Sequence, residues 1–309
     1  MMDPVIAILC SGQGAQHSAM FDLFAGSPEL EPIFTAAAEH LGQDPRRMVR
    51  EAASAALFTN RTAQILCCTQ ALAAFAALSR HQTWQCVIAG YSVGELAAWG
   101  CAGMLDAAAT LRLAERRAAM MDAAAPKNCG LSAVTGLRRA QLQPILARHD
   151  AYVAIINGSD SFVIGGEMNG LEACRNEAAA SGATHTVRLR VAVPSHTPLL
   201  SGAARAFRVA LQEAAPRAMR ARTRLLSGID GAAIHDIDAG CDKLAFQIST
   251  TVNWAACLES CREAGAERAL ELGPGGALSR MAAPLFGDGL ARSVDDFRTL
   301  AGIRDWLSH

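Results

Sequence analysis

The 309-residue chain lacks any excess of charge, with 28 Lys and Arg against 29 Asp and Glu and a formal net charge of −1. That excludes the broad electropositive surface of a general nucleic-acid or anionic-lipid binder. It also lacks any C-x-x-C pair among its ten cysteines: Cys67 and Cys68 are adjacent, and Cys257 and Cys261 are four apart. No zinc or dithiol framework is therefore expected, and no metal; buried, reduced thiols are. The opening MMDPVIAILCSGQG carries an acid and a proline but no basic n-region, unlike a secretory signal. No uninterrupted apolar run reaches the roughly 20 residues that span a bilayer. Repeats and low-complexity tracts are missing too, beyond an alanine enrichment that reports helix propensity. These absences together predict a cytoplasmic protein with neither a nucleic-acid nor a membrane partner. What is present is core material. Half of the residues (51%) are hydrophobic, which excludes disorder, and the length suits one large domain or a large one carrying an insert.

The runs VIAILC (5–10) and CVIAG (86–90) each stop at a glycine-bearing turn and are followed by helical, alanine-rich sequence, including 63–80. Such alternation predicts a parallel sheet covered on both faces. The middle differs. Strands over 130–137, 151–157, 161–166 and 184–193 interleave with helices at 139–149 and 169–182, and GSD joins the central two as a hairpin. The order β-α-β-β-α-β is that of a ferredoxin-like unit. Residues 127–192 thus read as a small subdomain inserted into a large α/β core made of 1–126 and 193–309. A helix at 197–214, a strand near 223–228, a helix around 240–263 and the strand-turn-helix ALELGPGGALSRM complete that core.

Three residues stand out chemically. Ser92 sits in GYSVG between Gly90 and Gly94, after a strand and before a helix. Glycines there permit a tight turn that lifts a hydroxyl above the sheet, with helix amides, Val93 first, aimed at a developing oxyanion. The alternative is a small residue in a tight connection. Wound at 100° per residue, LRLAERRAAMMD places Arg117 among Leu113, Ala114, Met120 and Met121, opposite Arg116 and Glu115. Arg117 either snorkels to a structural partner or grips a ligand carboxylate in a cleft. His196 follows an apolar strand and a proline in VAVPSHTPLL, a place where catalytic groups of parallel sheets collect and where a helix-capping histidine would also fit. The turns SGQGAQ (11–16) and LGPGGA (272–277) carry neither a Walker lysine nor the Rossmann spacing, and read as tight turns that bring backbone N–H groups near the site.

In order along nearly the whole chain, GQGAQ, GYSVGELAAW, an arginine 25 residues after the serine, VPSHTPLL and ELGPGGALSRM resemble the malonyl-CoA:acyl-carrier-protein transacylase family. The resemblance implies a hydrolase-like core with a ferredoxin-like insert and transfer of malonyl from malonyl-CoA, with no bound cofactor, to an acyl carrier protein. It makes Ser92 the acylated nucleophile, His196 its base, Arg117 the binder of the malonyl carboxylate, and the Gln13 and Val93 N–H groups the oxyanion hole. It places the main-chain carbonyl that orients the histidine at Asn253, where the family usually has glutamine, and puts Asn157 near the substrate. This chain departs from the common pattern at Tyr91, where the family has histidine, and at Ser11, where it has proline.

The carrier serves either fatty-acid or polyketide synthesis or a malonate decarboxylase, whose transferase belongs to a multi-subunit complex; the LCSGQG and GYSVGELAAWG variants lean to the latter. An acidic carrier would need a basic face, for which Arg217, Arg220, Arg222 and Arg224, or Arg46, Arg47 and Arg50, are candidates. A serine hydrolase or thioesterase would explain Ser92 and His196 but predicts an acidic third member. A non-catalytic carrier-binding subunit would have no need of the full set.

Overall fold

The apolar runs near the start become neighbouring strands β1 (Val5–Cys10) and β2 (Gln85–Gly90), parallel from Val5 opposite Gln85 to Cys10 opposite Gly90. The structure, a computed structural model, describes residues 3–80 and 84–308. The remaining strands are β3 (Cys129–Thr135), β4 (Tyr152–Ile156), β5 (Ser161–Glu167), β6 (His185–Arg188), β7 (Thr223–Leu225), β8 (Val252–Asn253), β9 (Ala266–Glu271) and β10 (Ala291–Ser293). One sheet has the order β10-β9-β1-β2-β7, every pair parallel, as the alternation of strands and helices predicts. Successive residues of β1 point to opposite faces. Ile6, Ile8 and Cys10 enter one core, while Ala7 and Leu9 enter the other.

The chain leaves β1 for β2 on one side and returns much later to β9 on the other. The strand order therefore reverses at β1, and open parallel sheets place their ligands at the carboxyl ends of the strands beside such a reversal. The helix Asn60–Ser79 lies inside the larger core and is buried on nearly every face. By length and mean hydropathy it would cross a membrane, yet 89% of its apolar window is enclosed by the rest of the protein.

The second sheet has the order β6-β3-β5-β4-β8. Its first four strands pair antiparallel, and β8, from the late segment, joins β4 in parallel. Helices Arg139–Arg148 and Met168–Ala180 cover one face through Val134, Phe162, Ile164, Leu146 and Leu171. The opposite face turns Leu131, Ile155 and Val163 toward the first sheet.

Two elements differ from the sequence reading. The strand expected over 184–193 ends at Arg188, and after Leu189 donates to the Leu131 carbonyl the chain leaves the sheet. The helix expected around 240–263 is two helices, Ile237–Phe246 and Trp254–Glu263. Between them the β-branched run Ile248, Thr250, Thr251 and Val252 disfavours helix, and β8 pairs with β4 instead. The Asp236 and Asn253 side chains accept from Ala239 and Ala256 and cap the two starts separately.

Candidate active site

β2 delivers the chain to Gly90, and helix Val93–Cys101 begins three residues later, so Tyr91 and Ser92 must make the whole turn. Ser92 does so at φ 57° and ψ −119°, a conformation that costs a non-glycine residue on the order of 1–3 kcal/mol. The flanking glycines are required by space. A Cβ on Gly90 would lie 2.1 Å from the Glu95 nitrogen, and one on Gly94 2.0 Å from the Cys10 carbonyl oxygen. The helix thus presses directly on the end of β1.

His196 arrives from the irregular segment after residue 189, also at positive φ (64°), and is 1% exposed. Its Nε2 is 2.8 Å from Ser92 Oγ, and its Nδ1 is 2.6 Å from the Gln247 main-chain oxygen. A carbonyl only accepts, so Nδ1 carries the proton and Nε2 is left free to accept from the serine hydroxyl. The Gln247 carbonyl is available because helix Ile237–Phe246 ends there, and the His196 N–H takes the Ile248 carbonyl as well, at 2.8 Å. Burial, then the charge of Arg117, push the imidazole from 6.5 down to about 3, with the Gln247 hydrogen bond acting in the opposite sense. The ring is neutral across the physiological range and able to accept a proton at Nε2.

Arg117 occupies the buried side of helix Ala107–Ala124 and is 1% exposed. Its Nη1 donates to Gln64 Oε1 (2.8 Å) and its Nη2 to Gln247 Oε1 (3.0 Å). Among the described residues it makes no ion pair. Burial draws it down to about 10, which leaves it cationic at neutral pH. Gln247 Nε2 in turn donates to the Ser92 carbonyl (2.9 Å) and to Glu95 Oε2 (2.7 Å). One glutamine thus touches the His196 ring through its main chain, and the Ser92 backbone and the Arg117 guanidinium through its side chain.

These groups line a cleft of about 470 Å³, counted to its open mouth, between the two sheets. Ser92, His196, Arg117, Gln13 and Gly12 form its polar side, and Leu131, Ile155, Val163, Leu189, Val191 and Met121 its apolar wall. Gly12 sits where a Cβ would be 2.9 Å from the Tyr91 carbonyl oxygen, which brings the Gln13 peptide beside the serine turn. Ser11 is no loose substitute for proline. Its hydroxyl donates to Glu271 Oε1 (2.8 Å) while Glu271 Oε2 accepts from the Ser279 N–H (2.8 Å), tying the loop after β1 to the turn after β9. Tyr91 stacks edge-on against Trp254 (5.4 Å between centroids), and its hydroxyl is pushed up by burial. Asn157 hydrogen-bonds to that hydroxyl and is not itself among the residues that line the cleft. Among the described residues no cluster of three His, Cys, Asp or Glu could hold a metal ion.

Asn253 does not orient the histidine. It caps helix Trp254–Glu263, and the carbonyl on Nδ1 comes from Gln247, six residues earlier, at a helix end that the sequence reading had run through. Of the two candidate basic faces, that of Arg46, Arg47 and Arg50 is paired, with Glu31 and Asp44, with Glu51 and with Asp22; on the other, Arg222 pairs with Asp3, Arg217 donates to the Gly103 carbonyl and Arg220 lies over the Phe75 ring. Exposed Arg188 and Arg190, which make no ion pair among the described residues, instead line a groove that opens from the cleft past Gln13, Phe58 and Asp122. Gln247, Gln64 and Glu95 were missed from sequence. A glutamate three residues after the serine, inside an otherwise apolar helix, was the one visible signal.

Known proteins share this overall fold. The acyl transferase domain model matches residues 8–280. The malonyl CoA-acyl carrier protein transacylase of Escherichia coli K12 is 28% identical over 312 residues, covering 97% of this chain and 96% of that protein. Its namesake in Mycobacterium bovis is 29% identical over 282 residues, 90% of this chain and 92% of its own. Among solved structures, the acyl-carrier-protein S-malonyltransferase of Burkholderia pseudomallei 1710b superposes with a TM-score of 0.89 at 26% identity over the full length of both chains. The malonyl CoA-acyl carrier protein transacylase of Coxiella burnetii gives 0.85 at 25% identity, over 94% of this chain and 93% of that one. With the family model spanning nearly the whole chain, this protein belongs to the acyl transferase domain family and is an acyltransferase.

Proposed function

We propose that the protein transfers a malonyl group from malonyl-CoA, through a malonyl ester on Ser92, to the phosphopantetheine-type thiol of an acyl carrier protein. One observation carries the choice of acyl group: Arg117 is a buried cation in the cleft beside the nucleophile, held by two glutamine oxygens and by no carboxylate. Of the five N–H donors of a guanidinium those contacts use two, so a bidentate grip on an incoming acid remains available. The names of the relatives at 28% and 29% identity agree with it.

In the first half-reaction the Ser92 oxygen attacks the thioester carbon as its proton passes to His196 Nε2. The negative charge that develops on the carbonyl oxygen meets the Gln13 and Val93 N–H groups, neither of which has an acceptor among the described residues. Such a donor is worth about 3–4 kcal/mol in the transition state. The carbon–sulfur bond breaks, CoA leaves as its thiol with the proton from His196, and the ester remains. The carrier thiol then attacks with His196 again as base, and the proton returns to Ser92. Arg188 and Arg190 at the mouth suit the phosphates of CoA and of the carrier's prosthetic arm. A main-chain carbonyl stands where a hydrolase of the Ser-His-acid type would have a carboxylate.

Intact mass after mixing with malonyl-CoA alone tests the reading. A malonyl adduct is expected on the wild type and none on Ser92→Ala. CoA release without an adduct would mean a hydrolase, and neither would mean a binding subunit. Carriers bearing a phosphopantetheine or a CoA-like prosthetic group, compared as acceptors, then separate fatty-acid or polyketide synthesis from malonate decarboxylation.

A further inference from the structure

Glu95 is a buried acid that the chemistry above does not use. It lies on the first turn of the nucleophile helix at 0% exposure. Its Oε2 accepts from Gln247 Nε2 at 2.7 Å, and the Gly228 N–H also supports it. Its Oε1 has no hydrogen-bond partner. No cation lies within ion-pair distance among the described residues. Space is reserved for the carboxylate, since a Cβ on Gly228 would come within 2.5 Å of Oε2. The residues around it on its own helix, Leu96, Ala98 and Trp99, are apolar and fully buried. A lone buried charge is costly, and packing alone gives no reason for one here.

The reason lies across one amide. Glu95, the Gln247 side chain and Arg117 form a line in which the glutamine donates to the acid and accepts from the guanidinium. A direct ion pair would occupy the fork of Arg117, and with no acid nearby a buried cation would stand unbalanced. We infer that Glu95 is a positioning residue for acyl selection: it is the counter-charge of Arg117, kept one amide away so that the cation is balanced while its donors stay free for the carboxylate of the substrate. Burial raises the Glu95 carboxyl to about 7, and Arg117 pulls it the other way, consistent with two charges that sense each other. The inference rests on the carboxylate-binding role of Arg117.

Glu95→Gln is the test, because it preserves shape and the acceptor toward Gln247 while removing the charge. Loss of the balancing charge destabilises the empty site more than the occupied one. At pH 8 the variant should therefore melt lower than wild type, yet gain more in melting temperature from free malonate, with chloride at equal ionic strength as control. Its KM for malonyl-CoA should fall by about three- to tenfold and its kcat should fall with slower release of the acyl group, while acetyl-CoA kinetics stay within about twofold. A lower melting temperature with an unchanged malonate response and an unchanged malonyl-to-acetyl ratio would make Glu95 merely structural and overturn the inference. A raised KM would overturn it as well. Arg117→Ala in the same assays keeps the two readings apart: if that variant retains the malonate response, the carboxylate-binding role is what has failed.

Discussion

Two arginines in this molecule show how differently the same side chain is used. On the outer helix Pro45–Glu51, Arg46 lies over the Phe34 ring, 4.3 Å from its centroid, and spends its fork on Glu31 and Asp44. Those carboxylates hold its proton more firmly than usual. In the cleft, the hydrogen-bond partners of Arg117 among the described residues are amide oxygens, and burial loosens its proton to about 10. The first arrangement is saturated and ties surface elements together. The second is a cation positioned by neutral groups, which is how a protein keeps a charge available for a ligand.

The largest expected effect follows from removing the unsaturated one. Arg117→Ala should lower kcat/KM for malonyl-CoA by about 100- to 1000-fold, the loss of a buried charge-assisted pair, and change acetyl-CoA transfer far less. Equal losses on both thioesters would erase the contrast between the two arginines. An intermediate effect concerns pH. With the imidazole near 3, wild-type acyl loading followed with acetyl-CoA, which does not depend on the Glu95 charge, should stay level from pH 8 down to about 5 rather than decline near 6.5. The Arg117 charge opposes the imidazolium, so in Arg117→Ala the histidine gains protons more readily and the acid limb, followed with acetyl-CoA, should move to higher pH. A limb that stays put would show that burial alone sets the base. The smallest effect belongs to the saturated arginine. Arg46→Ala should cost about 1 kcal/mol in denaturant unfolding, partly through lost cover over Phe34, with transfer rates unchanged.

The contrast also marks what the sequence could tell. Arg117 was legible because helical winding puts it among Leu113, Ala114 and Met121. Ser92 was legible because two glycines at fixed offsets have a steric meaning. β1 and β2 announce themselves as buried runs, whereas β8 and β10 are two and three residues long, too short for any periodicity to register. Gln247 could not be found in the same way. Its contact with the histidine uses a carbonyl that every residue possesses, and its place depends on where a helix stops. The break in that helix came from β-branched residues and from a strand partner some hundred positions earlier in the chain, a tertiary preference that overrides local winding.

That carbonyl has a consequence for inheritance. A codon change can delete the carboxylate of a Ser-His-Asp triad in a single step. Here the acceptor behind His196 belongs to the backbone, and no amino acid substitution at position 247 removes it. Drift at that position alters the side chain's links to Arg117, Glu95 and the Ser92 carbonyl and leaves the acceptor on His196 Nδ1 in place, so the ring keeps its orientation through changes that would retune the guanidinium beside it.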